Sequence, residues 1–269
     1  MSAVRNESSR AMPRMSPTLA LRDTAGVAKR NLLRIRRTPQ LIVIAAIQPA
    51  LLLFLFRYVL GGAVRLPGGH YVDYVVPAVL IEAVLIGGMN TSIGLAEDLR
   101  SGIIDRFRSL PMARSAVLAG RTLADLCRNV ISLALMVALG LLVGFRFHND
   151  PGSIIAGLAL IITFGYAFSW VYAAIGLASK DPETAQVAGI LPFFILMFAS
   201  NAIVPVASMP TWLQGFARNQ PLSVTVAAVR ALLEGTPAGH WLWQSLAWSA
   251  GIIIVFFTIA LHLYRNATS

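Results

Sequence analysis

Six apolar stretches, each about twenty residues long, dominate this sequence of 269 residues. A helix of that length crosses a hydrocarbon core of roughly 30 Å. Charged residues make up only 13% of the chain, which excludes both an ordinary soluble domain and a disordered chain. The sequence therefore predicts an all-α membrane protein with six transmembrane helices, at 41–60, 74–96, 123–145, 153–178, 185–206 and 242–263.

Two of these stretches are weaker than the others. Asp125 and Arg128 lie in the first turns of the third stretch, and Pro192 and Pro205 interrupt the fifth. Prolines are tolerated in membrane helices where neighbouring helices satisfy the freed backbone groups.

The basic residues predict how the helices are oriented. If the N-terminus is cytoplasmic, the inner segments carry sixteen Lys and Arg residues and the outer segments carry four. Because cytoplasmic loops are enriched in basic residues, we expect a protein of the bacterial cytoplasmic membrane with both termini on the cytoplasmic side. The net charge of +10 is then a topology signal, and nucleic acid is not an expected partner.

We expect two units along the chain. Residues 1–40 form a cytoplasmic tail whose segment 16–38 has the spacing of an amphipathic helix at the inner interface, the alternative being a plain basic anchor. Residues 41–264 form a single transmembrane domain, with a long inner loop at 97–122 and an outer region at 207–241.

The inner loop contains a short amphipathic helix with Leu99, Ile103, Phe107 and Leu110 on one face. Such a helix either lies on lipid or inserts into a groove of a partner protein. Acidic residues in the loop favour the protein partner. The charged residues beside the apolar face are Asp105, Arg106 and Arg108.

The outer region predicts short helices that do not span the membrane. Pro221 suits the first turn of a helix that runs to Glu234, and Gly235 suits its C-terminal cap. The region is interrupted by several prolines and glycines, so it is predicted to be a re-entrant or surface helical hairpin. Earlier in the chain, the KDPET turn at 180–184 is predicted to cap the fifth helix.

The chemistry-bearing residues are few. No phosphate-binding loop of the G-x-x-x-x-G-K-[ST] type is present, so any nucleotide would be bound by another polypeptide. One cysteine and four isolated histidines give no metal-site spacing, and no catalytic residues are assigned. Glu82 lies deep inside the second stretch, where a carboxylate either serves transport or is a protonated group within the bundle. Asn90 and Asn201 are the polar residues assigned with it to a substrate pathway, the alternative being hydrogen bonds between helices.

Three other classes remain as alternatives at this stage. A proton-coupled secondary transporter would use Glu82 as its coupling group. An intramembrane hydrolase would pair Ser169 with His262, although no oxyanion donor is evident. A structural scaffold would have no substrate.

These features together resemble the membrane subunit of type-2 ABC exporters, near the daunorubicin-resistance group of drug and lipid exporters. The resemblance covers residues 16–265, and its strongest carriers are the segments 100–121, 144–148, 209–223 and 226–235. It implies an amphiphilic substrate (drug, antibiotic or lipid) and no enzymatic activity in this chain. ATP and magnesium would be bound by a separate ABC ATPase subunit, present in two copies beside a second permease.

The resemblance also implies roles for particular residues. The helix 99–110 corresponds to the coupling helix that docks in a cleft of the ATPase, with Ile103, Phe107 and Leu110 in the cleft. The region 207–235 corresponds to re-entrant helices beneath an outer gate. The residues assigned to that gate are Pro210, Trp212, Asn219, Gln220 and Pro221.

Overall fold

The computed structural model describes residues 39–60, 71–101, 114–179, 181–203 and 205–266. Within these ranges the chain forms eight α-helices and no strand. They are α1 (Pro39–Leu55, extended by a π-helical turn at Phe56–Leu60), α2 (Tyr71–Arg100), α3 (Arg114–Leu142), α4 (Pro151–Ala178), α5 (Pro182–Phe198), α6 (Thr211–Asn219), α7 (Pro221–Glu234) and α8 (Gly239–Asn266).

Four helices are long and apolar enough to cross a membrane: α2, α3, α4 and α8. The first and fifth predicted stretches form shorter apolar helices, at Ile47–Val59 and Pro182–Phe198. The all-helical membrane character is therefore confirmed, whereas the count of six crossings stays a prediction.

The fifth predicted stretch, 185–206, is not one continuous helix. Its helix ends at Phe198, and a turn follows. The Ser200 hydroxyl donates to the Met197 carbonyl and accepts a bond from the Ala202 N–H. Because this side chain offers the backbone an alternative to helical bonding, the helix ends before Pro205 is reached.

Helix α2 is the centre of the bundle. It is buried along most of its length and packs against α1, α3, α4, α5 and α7. Small residues allow its close approach to α4, because a Cβ added at Gly176 would clash with the Ser92 carbonyl oxygen. Such contacts between small residues are typical of helix packing in membranes.

The short turns between helices are fixed by caps. Asp181 accepts a hydrogen bond from the Thr184 N–H and begins α5, as predicted for the KDPET turn. The bonds from the Thr184 backbone and hydroxyl lower the pKa of the Asp181 carboxyl. Asp150 caps α4 in the same way through Ser153.

Helices α6 and α7 form the predicted pair of short helices. Pro221 stands at the first turn of α7, and Gly235 ends it with φ +80°. Both predictions are confirmed, and the positive φ explains the glycine. At 14 residues, α7 is only about 21 Å long, too short to span a bilayer. It is nevertheless buried, between α2, α4 and α8.

Candidate functional site

Only one residue of the predicted coupling face lies among the described residues. Leu99 belongs to the last turn of α2, where it is half-buried against the cluster of Leu95, Trp170 and Tyr264. The other residues assigned to that face or its rim lie outside the described residues: Ile103, Asp105, Arg106, Phe107, Arg108 and Leu110. The interfacial segment 16–38 also lies outside them.

The predicted substrate-pathway residues are spread along the bundle. Asn201 lies at the end where α2 begins, hereafter the Tyr71 end, beside Tyr74. Glu82 and Asn90 follow Tyr74 along α2 by roughly 12 Å and 24 Å, at 1.5 Å per residue. Glu82 is only 1% exposed, whereas Asn90 faces outward. The three residues therefore do not converge on one site.

Glu82 is the most deeply buried carboxyl on α2. Its Oε2 atom has no hydrogen-bond partner in the described part of the chain. A carboxylate in a low-dielectric interior is costly unless it is paired. The structure thus keeps both interpretations open: a coupling carboxyl, or a protonated one within the core.

The predicted gate residues occupy helix ends at the Tyr71 end. Pro210 precedes α6, Asn219 is its last residue, and Pro221 begins α7. Gln220 is buried at the corner, where its Nε2 donates to the Leu196 carbonyl at 3.0 Å and its Oε1 accepts from the Leu222 N–H. The corner between α6 and α7 is thereby fastened to α5.

Trp212 differs from the other gate residues because 79% of its surface is exposed. It lies on α6, whose Phe216 is also exposed. An exposed tryptophan at a helix end is typical of a membrane–water interface.

A first cluster of buried polar residues lies toward the other end of α2, hereafter the Arg100 end. We call it the Asp125 cluster: Gly87 and Thr91 on α2, and Asp125, Arg128 and Asn129 on α3. Asp125 and Arg128 form an ion pair with an N–O distance of 2.8 Å. The Thr91 hydroxyl donates to Asp125, and the Arg128 guanidinium donates to the Gly87 carbonyl.

Asn129 completes this cluster without a hydrogen bond of its own. Its side chain is fully buried, and both of its amide atoms lack a partner in the described part of the chain. A Cβ added at Gly87 would lie 2.7 Å from Asn129 Oδ1. The glycine therefore leaves room for the Asn129 side chain, which would have to shift if Gly87 carried a Cβ.

A second cluster, the Arg230 cluster, lies at the Tyr71 end and consists of Tyr71, Tyr74, Asn201, Ile203 and Arg230. Arg230 on α7 stacks on the Tyr74 ring, with its Cζ 3.6 Å from the ring centroid, and donates to the Tyr74 carbonyl at 2.8 Å. The Tyr74 hydroxyl donates to the Asn201 carbonyl, and the Tyr71 hydroxyl donates to the Ile203 carbonyl.

These bonds join three segments at the Tyr71 end. Arg230 also reaches the Asn201 carbonyl at 3.5 Å. The carbonyls of Asn201 and Ile203 lie in the turn after α5, so no continuing helix uses them. The Arg230 cluster therefore fastens α2, α7 and the end of α5 together.

Sequence reasoning missed both clusters. It treated Asp125 and Arg128 as a weakness of the third stretch and counted Arg230 as an outer loop charge. A signal was present for the first cluster, because opposite charges at i and i+3 inside an apolar stretch form a ready pair on one helix face. For Arg230 no local pattern indicated its partners, which lie 29 and 156 residues away along the chain.

The other chemistry considered from the sequence receives no geometric support. Ser169 is fully buried and donates to the Gly165 carbonyl of its own helix, so it offers no accessible nucleophile. Among the described residues, no three His, Cys, Asp or Glu side chains are grouped to hold a metal ion.

The fold and these clusters define a helical, multi-pass membrane protein with charged groups packed between its helices. Residues 24–233 match the sequence profile of the family described as ABC-2 type transporter. Because that match covers most of the sequence, the chain belongs to the ABC-2 type transporter family. The predicted resemblance is confirmed, and family membership implies an ABC ATPase as partner.

Similar proteins are transporter permeases. The daunorubicin resistance ABC transporter permease protein DrrB1 of Streptomyces coeruleorubidus is 34% identical over 238 residues, which cover 88% of this chain and 84% of that protein. The doxorubicin resistance ABC transporter permease protein DrrB of Mycobacterium tuberculosis is 29% identical over 201 residues, or 74% and 70% of the two chains. This chain is therefore an ABC transporter permease, as these relatives are.

Proposed function

We propose that this chain is the permease of an ATP-driven exporter that moves an amphiphilic drug, antibiotic or lipid outward across a bacterial cytoplasmic membrane. The observation that carries the proposal is the 34% identity to a daunorubicin resistance permease over 88% of the chain. ATP and magnesium are bound by a separate ABC ATPase, present in two copies, and a second permease completes the assembly. This chain then carries no enzymatic activity of its own.

Six crossings are proposed, with both termini cytoplasmic. Four long helices provide the second, third, fourth and sixth crossings. Helix α1 with its π-helical turn contains 22 residues, or about 33 Å, which is enough for the first crossing. Helix α5, at 17 residues, is about 26 Å long, and the turn after Phe198 completes the fifth crossing.

The same topology supports the division into a tail at 1–40 and a transmembrane domain at 41–264. The segment 97–122, whose residues 101–113 join the Arg100 end of α2 to the start of α3, then faces the cytoplasm. The region 207–241 lies at the Tyr71 end, outside, where α6 and α7 pack beneath a gate formed by residues such as Trp212 and Gln220.

In the proposed mechanism the partner ATPases close on ATP and displace the loop between α2 and α3. The residues we assign to the ATPase cleft are Ile103, Phe107 and Leu110. Helix α2 transmits the displacement, because it is long, central and buried. A switch from 1:99 to 99:1 between inward and outward states needs about 5.5 kcal/mol of differential binding.

The test uses the tagged chain purified with its own ATPase from native membranes and reconstituted into vesicles. ATP-dependent accumulation of daunorubicin, followed by its fluorescence, is the expected result. A complex whose ATPase lacks its phosphate-binding lysine is the control. Equal accumulation without ATP overturns the proposal.

A second variant tests the coupling helix. Phe107→Asp places a charge in the proposed ATPase cleft, so we expect loss of ATPase during purification and loss of transport. Normal assembly and normal transport by this variant contradict the assignment.

A proton-coupled secondary transporter is the alternative that one observation favours, namely the unpartnered Oε2 of the buried Glu82. Vesicles that contain this chain alone, under an imposed pH gradient and without ATP, provide the test. Uptake there, abolished by Glu82→Gln, identifies a proton-driven carrier; its absence leaves the ATP-driven exporter.

A further inference from the structure

The two charges of the Asp125 cluster belong to one helix, but their remaining hydrogen bonds go to another. Asp125 and Arg128 are both on α3, three residues apart. Thr91 and Gly87, which bond to them, are both on α2 and one turn apart. Helix α2 is therefore braced to α3 at two successive levels.

The brace lies at a similar distance from the loop along each of the two helices. Thr91 precedes Arg100, the end of α2, by nine residues, or about 14 Å of helix. Asp125 follows Arg114, the start of α3, by eleven residues, or about 17 Å. The brace thus joins the two helices that flank residues 101–113, at nearly the same height.

The other polar contacts of α2 near this level are weaker. Ser92 donates to the Ala185 carbonyl of α5 at 3.3 Å, a bond between uncharged groups. Toward α4, the close approach at Gly176 and Gly165 is made by packing against Ser92 and Val84. Charge-assisted bonds are roughly twice as strong as neutral ones, so the hydrogen bonds that join α2 to α3 are stronger than the hydrogen bond that joins it to α5.

Stability alone does not account for a buried ion pair at this place. Replacing such a pair by well-packed apolar residues is often neutral or stabilising. Charged groups inside a membrane helix are costly and usually serve a function. The Asp125–Arg128 pair supplies the only charged residues of the third predicted stretch, 123–145.

We propose that the Asp125 cluster is a clamp that makes α2 and α3 one rigid lever, so that a displacement of the loop between them moves both helices together. This inference rests on the proposed function, since the loop is displaced by the ATPase. Asp125, Arg128 and Thr91 are positioning residues that act through the two helices and do not contact the substrate. Without the clamp, α3 moves independently and the displacement of α2 is incomplete.

The first test measures the clamp without any transport. Spin labels are placed at Glu97→Cys on α2 and Val130→Cys on α3, both exposed positions, in a Cys127→Ser background. In the purified complex with its ATPase, we expect one narrow distribution of distances between the two labels, which is the same without nucleotide and with ATP trapped. Thr91→Val should broaden the distribution of distances between the two labels. If this distance changes with ATP while the Asp125 cluster is unmodified, the clamp is overturned.

The second test measures transport per ATP hydrolysed. Thr91→Val removes one brace and conserves side-chain volume. We expect ATPase association and basal hydrolysis to be retained, while daunorubicin transported per ATP falls by about fivefold, at the lower end of the coupling between linked sites. Thr258→Val is the matched control, because Thr258 is exposed on α8 and bonds only within its own helix.

The two tests separate failure of the clamp from failure of the proposed exporter. Equal transport per ATP in Thr91→Val and Thr258→Val overturns the clamp while the exporter stands. If the unmodified complex moves no daunorubicin, the exporter in its proposed form fails, and the distance measurement still decides the clamp.

Discussion

The two buried polar clusters hold α2 near its two ends by different chemistry. At the Arg100 end, the cation Arg128 is paired with a carboxylate on the same helix. At the Tyr71 end, Arg230 donates hydrogen bonds to backbone carbonyls and stacks on an aromatic ring. Glu234, one turn along α7, also attracts it electrostatically. Both guanidinium groups donate to a carbonyl of α2, and they differ in the other partner, which is Asp125 for Arg128 and the Tyr74 ring with the Asn201 carbonyl for Arg230.

This contrast shows where a membrane bundle can accommodate a charged side chain. Between the continuous helices α2 and α3, Arg128 uses one backbone carbonyl, that of Gly87, and Asp125 balances its charge. Beside a helix end, free carbonyls and an aromatic face can take that place. The two clusters should therefore respond differently to removal of one member.

The largest effect is expected for Asp125→Ala. This change leaves Arg128 buried without its anion, and breaking a buried pair in this way typically costs about 3 kcal/mol or more. Reversible unfolding in mixed micelles, followed by tryptophan fluorescence, measures the free energy of unfolding. The double variant Asp125→Leu with Arg128→Met should recover most of the loss, and a single-variant loss below about 1 kcal/mol would show that water solvates the pair.

A smaller effect is expected for Arg230→Met. It removes bonds to carbonyls and the stacking on Tyr74 without leaving a hydrogen-bonded carboxylate unpaired, so we expect a loss of about 2 kcal/mol by the same measurement. Arg230→Lys keeps the charge and loses the planar stack, so its free energy of unfolding should lie between that of Arg230→Met and that of the native protein. A loss equal to that of Asp125→Ala would remove the distinction between the clusters.

Tyr74→Phe sharpens the comparison within the Arg230 cluster. It removes the 2.9 Å hydroxyl bond to the Asn201 carbonyl but keeps the ring under Arg230. We expect a loss of about 1 kcal/mol, the usual value of one hydrogen bond. A loss as large as that of Arg230→Met would indicate that the turn after α5, rather than the guanidinium, holds this end together.

The smallest effect is expected for Ser245→Ala on α8. Its hydroxyl lies 2.7 Å from the Thr225 hydroxyl of α7, a buried contact between uncharged groups. Such interhelical bonds in membranes contribute on average about 0.6 kcal/mol. This variant measures the contribution of an uncharged contact, against which both clusters are compared. The control Thr258→Val should leave the free energy of unfolding almost unchanged.

Much of the fold could be predicted from the sequence because its signals are local. Apolar length predicted the helical membrane segments, Pro221 and Gly235 predicted the bounds of α7, and the KDPET turn predicted the start of α5. Each of these depends on a few neighbouring residues. The end of α5 at Phe198 was missed, because apolar composition continues past it while the Ser200 side chain redirects the backbone.

The candidate sites were less accessible to the same reasoning. Glu82 was recognised from its place in an apolar stretch, and the structure confirms its burial. It does not bring Glu82, Asn90 and Asn201 together, since they lie at successive levels of the bundle. A polar residue in one helix indicates that a partner is needed but not which helix supplies it.

The sequence by itself determined that this protein resides in a membrane, that it is helical, and that it belongs with transporter permeases. These properties follow from hydrophobic length, charge asymmetry and motif order, which are written along the chain. Only the tertiary structure decided that Asp125 bonds to Thr91 and that Arg230 stacks on Tyr74. Partners of buried charges are chosen by helix packing, and that choice depends on the geometry of the whole bundle.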